Sequence, residues 1–288
     1  PTNITSLDVS ATKSDPNAVM AIGSVIIPAG TASGSAPNVP LGAPGSDTLI
    51  SILVTAQNGV DSKTYTIRIH RAASDDSSLS ALIITANSLA HPINLSTPPP
   101  YTVNVATSVT SVDVSATKSD ANAVMAIGSV IVPAGTASGT APNLPLGGPG
   151  TDTLISILVT AQNGVGSTTY NVTVHRAASD DNNLSALSVT ANAVLLSLTP
   201  AFDQNHVDYT VEAPFGIFEV TVTATKSDPN AVLSGSVPDP GTGIATGQAT
   251  VSYIFLPPPQ ISINVTAQNT TSIKTYTITV NQAPPPFP

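Results

Sequence analysis

Residues 50–58, which read Ile-Ser-Ile-Leu-Val-Thr-Ala-Gln-Asn, decide the fold of this chain. The first, third, fifth and seventh side chains of the segment are apolar, and Ser51 and Thr55 lie between them. This period of two is typical of a β-strand with one buried and one solvated face. The pair Asn58-Gly59 favours a tight hairpin connection, because these residues readily take positive φ. The segment therefore predicts a strand that turns back on itself.

The chain contains three copies of one sequence unit. Val-Thr-Ala-Gln-Asn occurs at residues 54–58, 159–163 and 265–269, and Ala-Thr-Lys-Ser-Asp occurs at residues 11–15, 116–120 and 224–228. Residues 6–82 and 111–187 are almost identical, whereas the third copy has diverged much further, so one duplication is recent and the other old. Repetition at this period indicates an array of similar domains. We predict repeat one (residues 1–73), repeat two (74–178), repeat three (179–283) and a proline-rich tail (284–288).

Turn signals and strand patterns within each unit predict the fold class. Asp15-Pro16-Asn17 and Asp228-Pro229-Asn230 have the composition of type I turns, and residues 65–70 alternate in the same way as residues 50–58. Residues 28–45 hold too much Pro and Gly for a helix and are predicted to form loop with short edge strands. Short strands in units of about a hundred residues predict an all-β fold of tandem immunoglobulin-like antiparallel β-sandwiches.

Composition excludes several classes of protein. The 288-residue chain has a net charge of −9, only 9 % charged residues and no cysteine. Its few Lys and Arg residues do not cluster, so we expect no nucleic-acid partner, and the lack of cysteine excludes disulfides and thiolate metal sites. No apolar run reaches the roughly 18 residues of a membrane span. A surface this poor in charge offers little repulsion against self-association.

We predict no catalytic, cofactor or metal site, and therefore no enzyme. The sequence has no nucleophile elbow and no phosphate loop. Its histidines, which lack metal-ligand spacing, are His70, His91, His175 and His206. Asp75-Asp76 and Asp180-Asp181 invite a calcium interpretation, but calcium takes six or more oxygen ligands, so we interpret them as solvated linker acids. Lys13, Lys118 and Lys226 occupy equivalent places and are interpreted as turn lysines rather than as donors of isopeptide bonds.

The third unit carries a recognisable set of motifs. It opens with Leu184-Ser185-Ala186-Leu187, continues through Thr199-Pro200-Ala201-Phe202 and Val207-Asp208-Tyr209-Thr210-Val211, and closes with Tyr276-Thr277-Ile278-Thr279-Val280. These stretches resemble the cadherin-like β-sandwich family, whose domains occur in tandem in bacterial surface and secreted proteins. The second unit keeps Leu79-Ser80-Ala81-Leu82 but lacks the Pro-Ala-Phe element. The resemblance implies an architectural module without an active site.

Repeat one lacks its front. Residues 79–110 precede Ser111 in the second unit, whereas only residues 1–5 precede the equivalent Ser6. The missing part corresponds to two predicted strands, and a sandwich without them exposes backbone edges and an apolar groove. Either the chain is a piece of a longer one with these strands upstream, or another subunit supplies them by strand complementation. The proline-rich tail cannot be the donor, because proline lacks the N–H that a strand ladder needs.

The repeated linkers bear on function. Residues 70–76 and 175–181 are identical, which predicts a regular, extended rod of domains. We predict a non-catalytic structural or adhesive repeat array of an extracellular cell-surface protein, or a self-assembling extracellular filament. Its expected partners are other copies of itself or neighbouring domains of a longer chain. The alternative is a ligand- or carbohydrate-binding module that uses the Pro/Gly-rich loops, such as residues 133–150.

Overall fold

A computed structural model describes residues 3–252, 254 and 258–285. Every regular element in these residues is a β-strand, which confirms the all-β prediction. The chain forms two compact units, the first of residues 1–103, 111–145 and 154–173, and the second of residues 104–110, 146–153 and 174–288. The predicted domain boundaries stay a prediction, and residues 1–2 and 286–288 of the predicted first domain and tail lie outside the described residues.

Repeat one has two sheets in the first unit. Its strands are β1 (Ser6–Thr12), β2 (Val19–Ile22), β3 (Val25–Ile27), β4 (Ser33–Pro40), β5 (Asp47–Thr55) and β6 (Ser62–His70). β1 pairs with β4 alone, and the other sheet has the order β3-β2-β5-β6. The predicted hairpin joins β5 and β6, and Gly59 has a φ of 72° in its turn. The small core of this repeat centres on Met20, Ile22 and Ile52.

Repeat two has a fuller set of strands. They are β7 (Leu79–Ala86), β8 (Leu89–Pro92), β9 (Tyr101–Val105), β10 (Ser111–Lys118), β11 (Val124–Ile127), β12 (Val130–Val132), β13 (Ser138–Pro145), β14 (Asp152–Thr160) and β15 (Ser167–Arg176). One sheet has the order β13-β10-β7-β8, and the other, mainly in the first unit, has the order β12-β11-β14-β15-β9. Residues 79–110 supply the strands that repeat one lacks, with β7 and β8 in the first sheet and β9 in the second.

Repeat three lies in the second unit. Its strands are β16 (Leu184–Ala191), β17 (Val194–Leu196), β18 (Asp208–Ala213), β19 (Glu219–Lys226), β20 (Val232–Gly235), β21 (Thr246–Ser252), β22 (Gln260–Thr266) and β23 (Ile273–Gln282). The sheets have the orders β17-β16-β19-β21 and β18-β23-β22-β20, and buried residues of both sheets share one core. These paired sheets confirm the immunoglobulin-like sandwich, with one departure from antiparallel pairing, since β18 runs parallel to β23.

The Leu-Ser-Ala-Leu motif is a strand with a bulge at its Ser. Leu79 faces Lys118 and Ala81 faces Thr117, so Ser80 has no partner of its own in the ladder. Leu79 and Leu82 are three residues apart and would lie on opposite faces of a regular strand. The extra residue in the bulge places both on the same face, where both are buried. The same break in register occurs between Leu184 and Ala186.

Residues 28–45 contain a longer edge strand than the short ones predicted. β4 and its counterpart β13 each have 8 residues, because a bulge accommodates the proline that would otherwise break the ladder. At this bulge Asn38 takes a φ of 54°, and its backbone N–H donates to Asp8 Oδ1 at 2.7 Å. Asn143 and Asp113 repeat the arrangement at 2.7 Å. The prediction underestimated the strand because it counted Pro and Gly without locating the bulge.

Within the described ranges, no helical segment has the length and apolarity that a membrane crossing requires.

Candidate functional site

The candidate site is an open face of repeat one, where two strands of the complete repeats have no counterpart in the described chain. β10 pairs with β7, and β19 pairs with β16, but the equivalent edge of β1 carries no strand among the residues described. The outer edge of β6 is likewise free there, whereas β9 covers β15 and β18 covers β23. Among the described residues, repeat one therefore presents two strand edges, those of β1 and β6, that are covered in the complete repeats.

Apolar side chains that are buried in the complete repeats are exposed at this face. Tyr65 is 49 % exposed and Ile67 is 37 % exposed, whereas their counterparts in repeat three, Tyr276 and Ile278, are fully buried. Val54 is only half-buried, although the equivalent valines of the other repeats are buried. Because inward-facing side chains are left partly in water, the face is an apolar surface that a further strand would cover.

Between the two free edges lies a groove of about 730 Å³. Its floor is apolar and includes Met20, Ile52 and Val54, while Ala11 lies on the β1 side and Tyr65 and Ile67 lie on the β6 side. The prediction of an apolar groove at the incomplete repeat agrees with this geometry. That upstream sequence or another subunit fills the groove stays a prediction.

A tyrosine hydroxyl holds the start of the first strand in both complete repeats. The backbone N–H of Leu79 donates to the Tyr170 hydroxyl oxygen at 3.0 Å, and that of Leu184 donates to the Tyr276 hydroxyl oxygen at 3.1 Å. Tyr65 occupies the equivalent position in repeat one. Its ring lies 5.1 Å from Lys63 Nζ, as the ring of Tyr276 lies 6.0 Å from Lys274 Nζ.

A glutamine side chain clamps the linker that enters repeat two. Gln162 Oε1 accepts the backbone N–H of Ser74 at 2.9 Å, and Gln162 Nε2 donates to the carbonyl oxygen of Pro44 at 2.9 Å. The backbone N–H of Asn163 donates to the Ser74 carbonyl oxygen at 2.9 Å. The clamp thus ties the linker to a loop of repeat one and to a hairpin of repeat two.

The same clamp recurs at the linker that enters repeat three. Gln268 Oε1 accepts the N–H of Ser179 at 3.0 Å, Gln268 Nε2 donates to the Pro149 carbonyl oxygen at 2.9 Å, and Asn269 N–H donates to the Ser179 carbonyl oxygen at 2.9 Å. Ser179 is 8 % exposed, so its polar groups depend on these partners. The residues of the linker, and not only its length, therefore determine how it is held. In repeat one the equivalent Gln57 is exposed.

The paired linker aspartates are not all solvated. Asp75 and Asp180 are exposed, as interpreted from sequence, but Asp76 and Asp181 are half-buried. Asp76 Oδ1 accepts the N–H of Ser78 at 2.8 Å, and Asp181 acts in the same way before β16. Burial acts to raise the pKa of Asp181, but hydrogen bonds from Ser227 and Asn183, together with Lys274, outweigh it and hold the pKa below its ordinary value. These two carboxylates fix the turn into the first strand.

Searched over the described residues, the chain shows no group of three or more His, Asp or Glu side chains placed to hold a metal ion. His70 Nδ1 lies 2.8 Å from Asp47 Oδ1, and His175 Nδ1 lies 2.6 Å from Asp152 Oδ1. Both are copies of one exposed pair at a strand end. His206 Nε2 lies 2.7 Å from the Asp208 carbonyl oxygen instead.

The three equivalent lysines, interpreted from sequence as turn lysines, are buried: Lys118 and Lys226 end the strands β10 and β19, and Lys13 follows β1 directly. Lys13 Nζ donates to the carbonyl oxygens of Ala18 at 2.6 Å and Pro28 at 2.8 Å. Lys118 makes matching contacts, and burial lowers its pKa, although the charge of Asp120 acts in the opposite direction. Lys226 differs in that it also forms an ion pair, with Asp239 Oδ1 at 3.1 Å, and no sequence pattern predicts this pair.

One surface feature escaped the sequence reasoning. Leu49 and Leu53 point outward from β5 and are 68 % and 40 % exposed, and Leu154 and Leu158 repeat them on β14 at 64 % and 42 %. The sequence contains a signal for this feature, because the leucines occupy positions of the alternating strand that face solvent and would ordinarily be polar. In repeat three the equivalent positions are Gln260 and Asn264, so only the two nearly identical repeats carry the apolar pair.

A family model described as a cadherin-like beta sandwich domain matches residues 1–72, 94–177 and 184–283. No curated protein matches the chain by sequence.

Two solved structures illustrate the likeness. Domains EC1–3 of Drosophila N-cadherin are 11 % identical to the chain, with a TM-score of 0.33 over 98 % of this chain and 94 % of that one. The I-band fragment I67–I69 from titin is 7 % identical, with a TM-score of 0.37 over 96 % and 94 %.

Proposed function

Because the chain belongs to the cadherin-like beta sandwich domain family, we propose that it is a non-catalytic structural and adhesive repeat array of an extracellular protein. Domains with this fold are generally non-catalytic and typically extracellular. The array holds successive sandwiches at fixed intervals, and its work is reach, spacing and assembly rather than chemistry on a substrate.

The recurring glutamine clamp is the observation that carries this proposal. A spacer needs linkers that resist bending. Each linker here is held by two hydrogen bonds at a single serine, Ser74 or Ser179, and the clamping glutamine makes a third to a proline carbonyl oxygen. Each of these bonds contributes about 0.5–1.5 kcal/mol net, so a clamp is strong enough to limit swinging about the linker. A protein whose function lies within one domain would not require both of its linkers to be held in the same way.

The exposed leucine pairs support assembly in addition to spacing. Leu49 with Leu53, and Leu154 with Leu158, present the same apolar pair on two successive repeats. With only 9 % charged residues, the surface opposes self-association weakly. We expect these pairs to contact other copies of the chain when its concentration is high.

Electron microscopy of the purified chain tests the proposal. Isolated stiff rods support a spacer, and fibres of regular repeat support a self-assembling filament. Particles whose domains bend freely about both linkers would contradict the role of the clamps. A shift of the molecules to monomers in a Leu154→Gln/Leu158→Asn variant, which copies repeat three, would assign any assembly to the leucine pairs.

The alternative function is ligand or carbohydrate binding by the Pro/Gly-rich loops. The loop surface left free for a ligand is smaller than the sequence predicts. Within residues 133–150 the strand β13 takes up 8 residues, and the Pro149 carbonyl oxygen accepts a hydrogen bond from Gln268. A glycan array probed with the intact chain tests the remaining loop surface directly.

A further inference from the structure

Repeat one offers the groups that the complete repeats use to bind their first strand. The edge of β1, the hydroxyl of Tyr65 and the clamp residue Gln57 stand where β19, Tyr276 and Gln268 stand in repeat three. In repeat three these groups contact a continuous segment, residues 179–191, which includes the linker serine and the whole of β16. A single segment of this kind would therefore pair with the edge of β1, donate an amide to the Tyr65 hydroxyl oxygen and donate an amide to Gln57 Oε1.

We infer that the groove of repeat one binds an extended polypeptide segment with the chemistry of residues 179–191, Ser-Asp-Asp-Asn-Asn-Leu-Ser-Ala-Leu-Ser-Val-Thr-Ala. The segment runs antiparallel to β1, as β16 runs antiparallel to β19. Its two leucines, its valine and its last alanine enter the groove, because the equivalent side chains of β16 are the buried ones. The inference concerns repeat one alone and holds whether the array acts as a spacer or as a filament.

Lys63 gives this groove a preference between the two known first strands. In repeat three Lys274 Nζ donates to Asn183 Oδ1, directly before the first leucine of β16. In repeat two the same position is Thr168, whose hydroxyl lies 2.7 Å from the hydroxyl of Ser77. Lys63 matches Lys274 in type and position. A segment with Asn before its first leucine is therefore the better fit to repeat one.

The occupant is a segment that is not already folded into a sandwich. β7 and β16 are buried in their own repeats, and Leu184 and Val189 are fully buried. If a second copy withdrew either strand, it would open a groove in the donor equal to the one it filled, so the exchange would gain little. A free strand of the same chemistry gains the burial without that loss.

The test is binding of a labelled synthetic peptide of residues 179–191 to the full chain, followed by fluorescence anisotropy. We expect saturable, equimolar binding, and protection of the β1 amides from hydrogen exchange when the peptide is present. Tyr65→Phe removes only the hydroxyl that accepts the leucine amide, and should weaken binding about 2- to 10-fold. Tyr170→Phe is the matched control in repeat two and should leave peptide binding unchanged.

Specificity provides a second readout. The peptide of residues 74–86 should bind more weakly than that of residues 179–191, and Lys63→Thr should remove the difference. A peptide with Leu187→Asp should not bind. The inference is overturned if no saturable binding occurs, if β1 gains no protection, or if the chain self-associates while β16 loses its protection, which would make a second copy the donor. Absence of peptide binding or of β1 protection leaves the rods and fibres seen by electron microscopy unaffected, so failure here is distinct from failure of the proposed function.

Discussion

Replacing Gln268 by Ala should release the linker before repeat three without unfolding the repeat. The change removes two hydrogen bonds, from Ser179 N–H and to the Pro149 carbonyl oxygen. At about 0.5–1.5 kcal/mol each, their loss costs about 1–3 kcal/mol. Because Ser179 is 8 % exposed, its amide is left without full access to water, which places the cost near the upper half of that range.

Amide hydrogen exchange measures this cost where it arises. A loss of about 2 kcal/mol in the free energy of local opening corresponds to roughly 30-fold faster exchange at the Ser179 amide. The amides of β22 and β23 should exchange as in the unmodified chain, because the glutamine side chain contributes nothing to the sheet ladder. Gln162→Ala should act similarly at Ser74, with a smaller effect because Ser74 is only half-buried.

The chain contains its own control for this experiment. Gln57 has the same place in the repeat as Gln162 and Gln268, but its side chain is exposed. Gln57→Ala should therefore change stability by no more than about 0.5 kcal/mol. Equal effects of Gln57→Ala and Gln268→Ala, or faster exchange throughout repeat three, would refute the reasoning that the clamp acts on the linker.

Three further outcomes are expected. Lys118→Met should destabilise repeat two by about 2–4 kcal/mol in urea unfolding, since it leaves buried carbonyl oxygens without a donor, whereas exposed Lys63→Met should have little effect. Burial acts to raise the pKa of Asp239, but hydrogen bonds from the Leu233 amide and Lys226 hold this pKa below its ordinary value of 3.8. The ionised Asp239 therefore stabilises the fold above pH 3.8, and this stabilisation is lost as the pH falls through the lower pKa of the folded state. Asp239→Asn should flatten the acid limb of the stability curve, and an unchanged limb would contradict this assignment. Leu154→Gln/Leu158→Asn should reduce light scattering at high concentration without changing the melting temperature.

Much of the fold could be predicted because its signals are local and repeated. The alternation around Ile52 fixes β5 and its copies, and Asn58-Gly59 fixes the following turn. Comparing the copies also located the groove of repeat one, since the residues before Ser6 are too few for two strands.

The sequence was less informative wherever a contact joins distant residues. The interaction of Gln162 with Pro44 depends on how the linker turns, and no spacing rule connects the two positions. The bulge at Ser80 breaks the period of two, so alternation alone assigns Leu79 and Leu82 to opposite faces. The pairing of Lys226 with Asp239 likewise requires a loop conformation that composition does not specify.

The clamp has an evolutionary consequence. Each one joins a glutamine to the linker serine at the start of its own copy and to a proline carbonyl supplied by the copy before it, and both junctions use the same residue types. A gene can therefore gain or lose a whole unit by recombination between the near-identical copies, and every new junction inherits a working contact. The number of repeats can therefore change by one whole repeat at a time, and no new contact surface has to evolve at the junction.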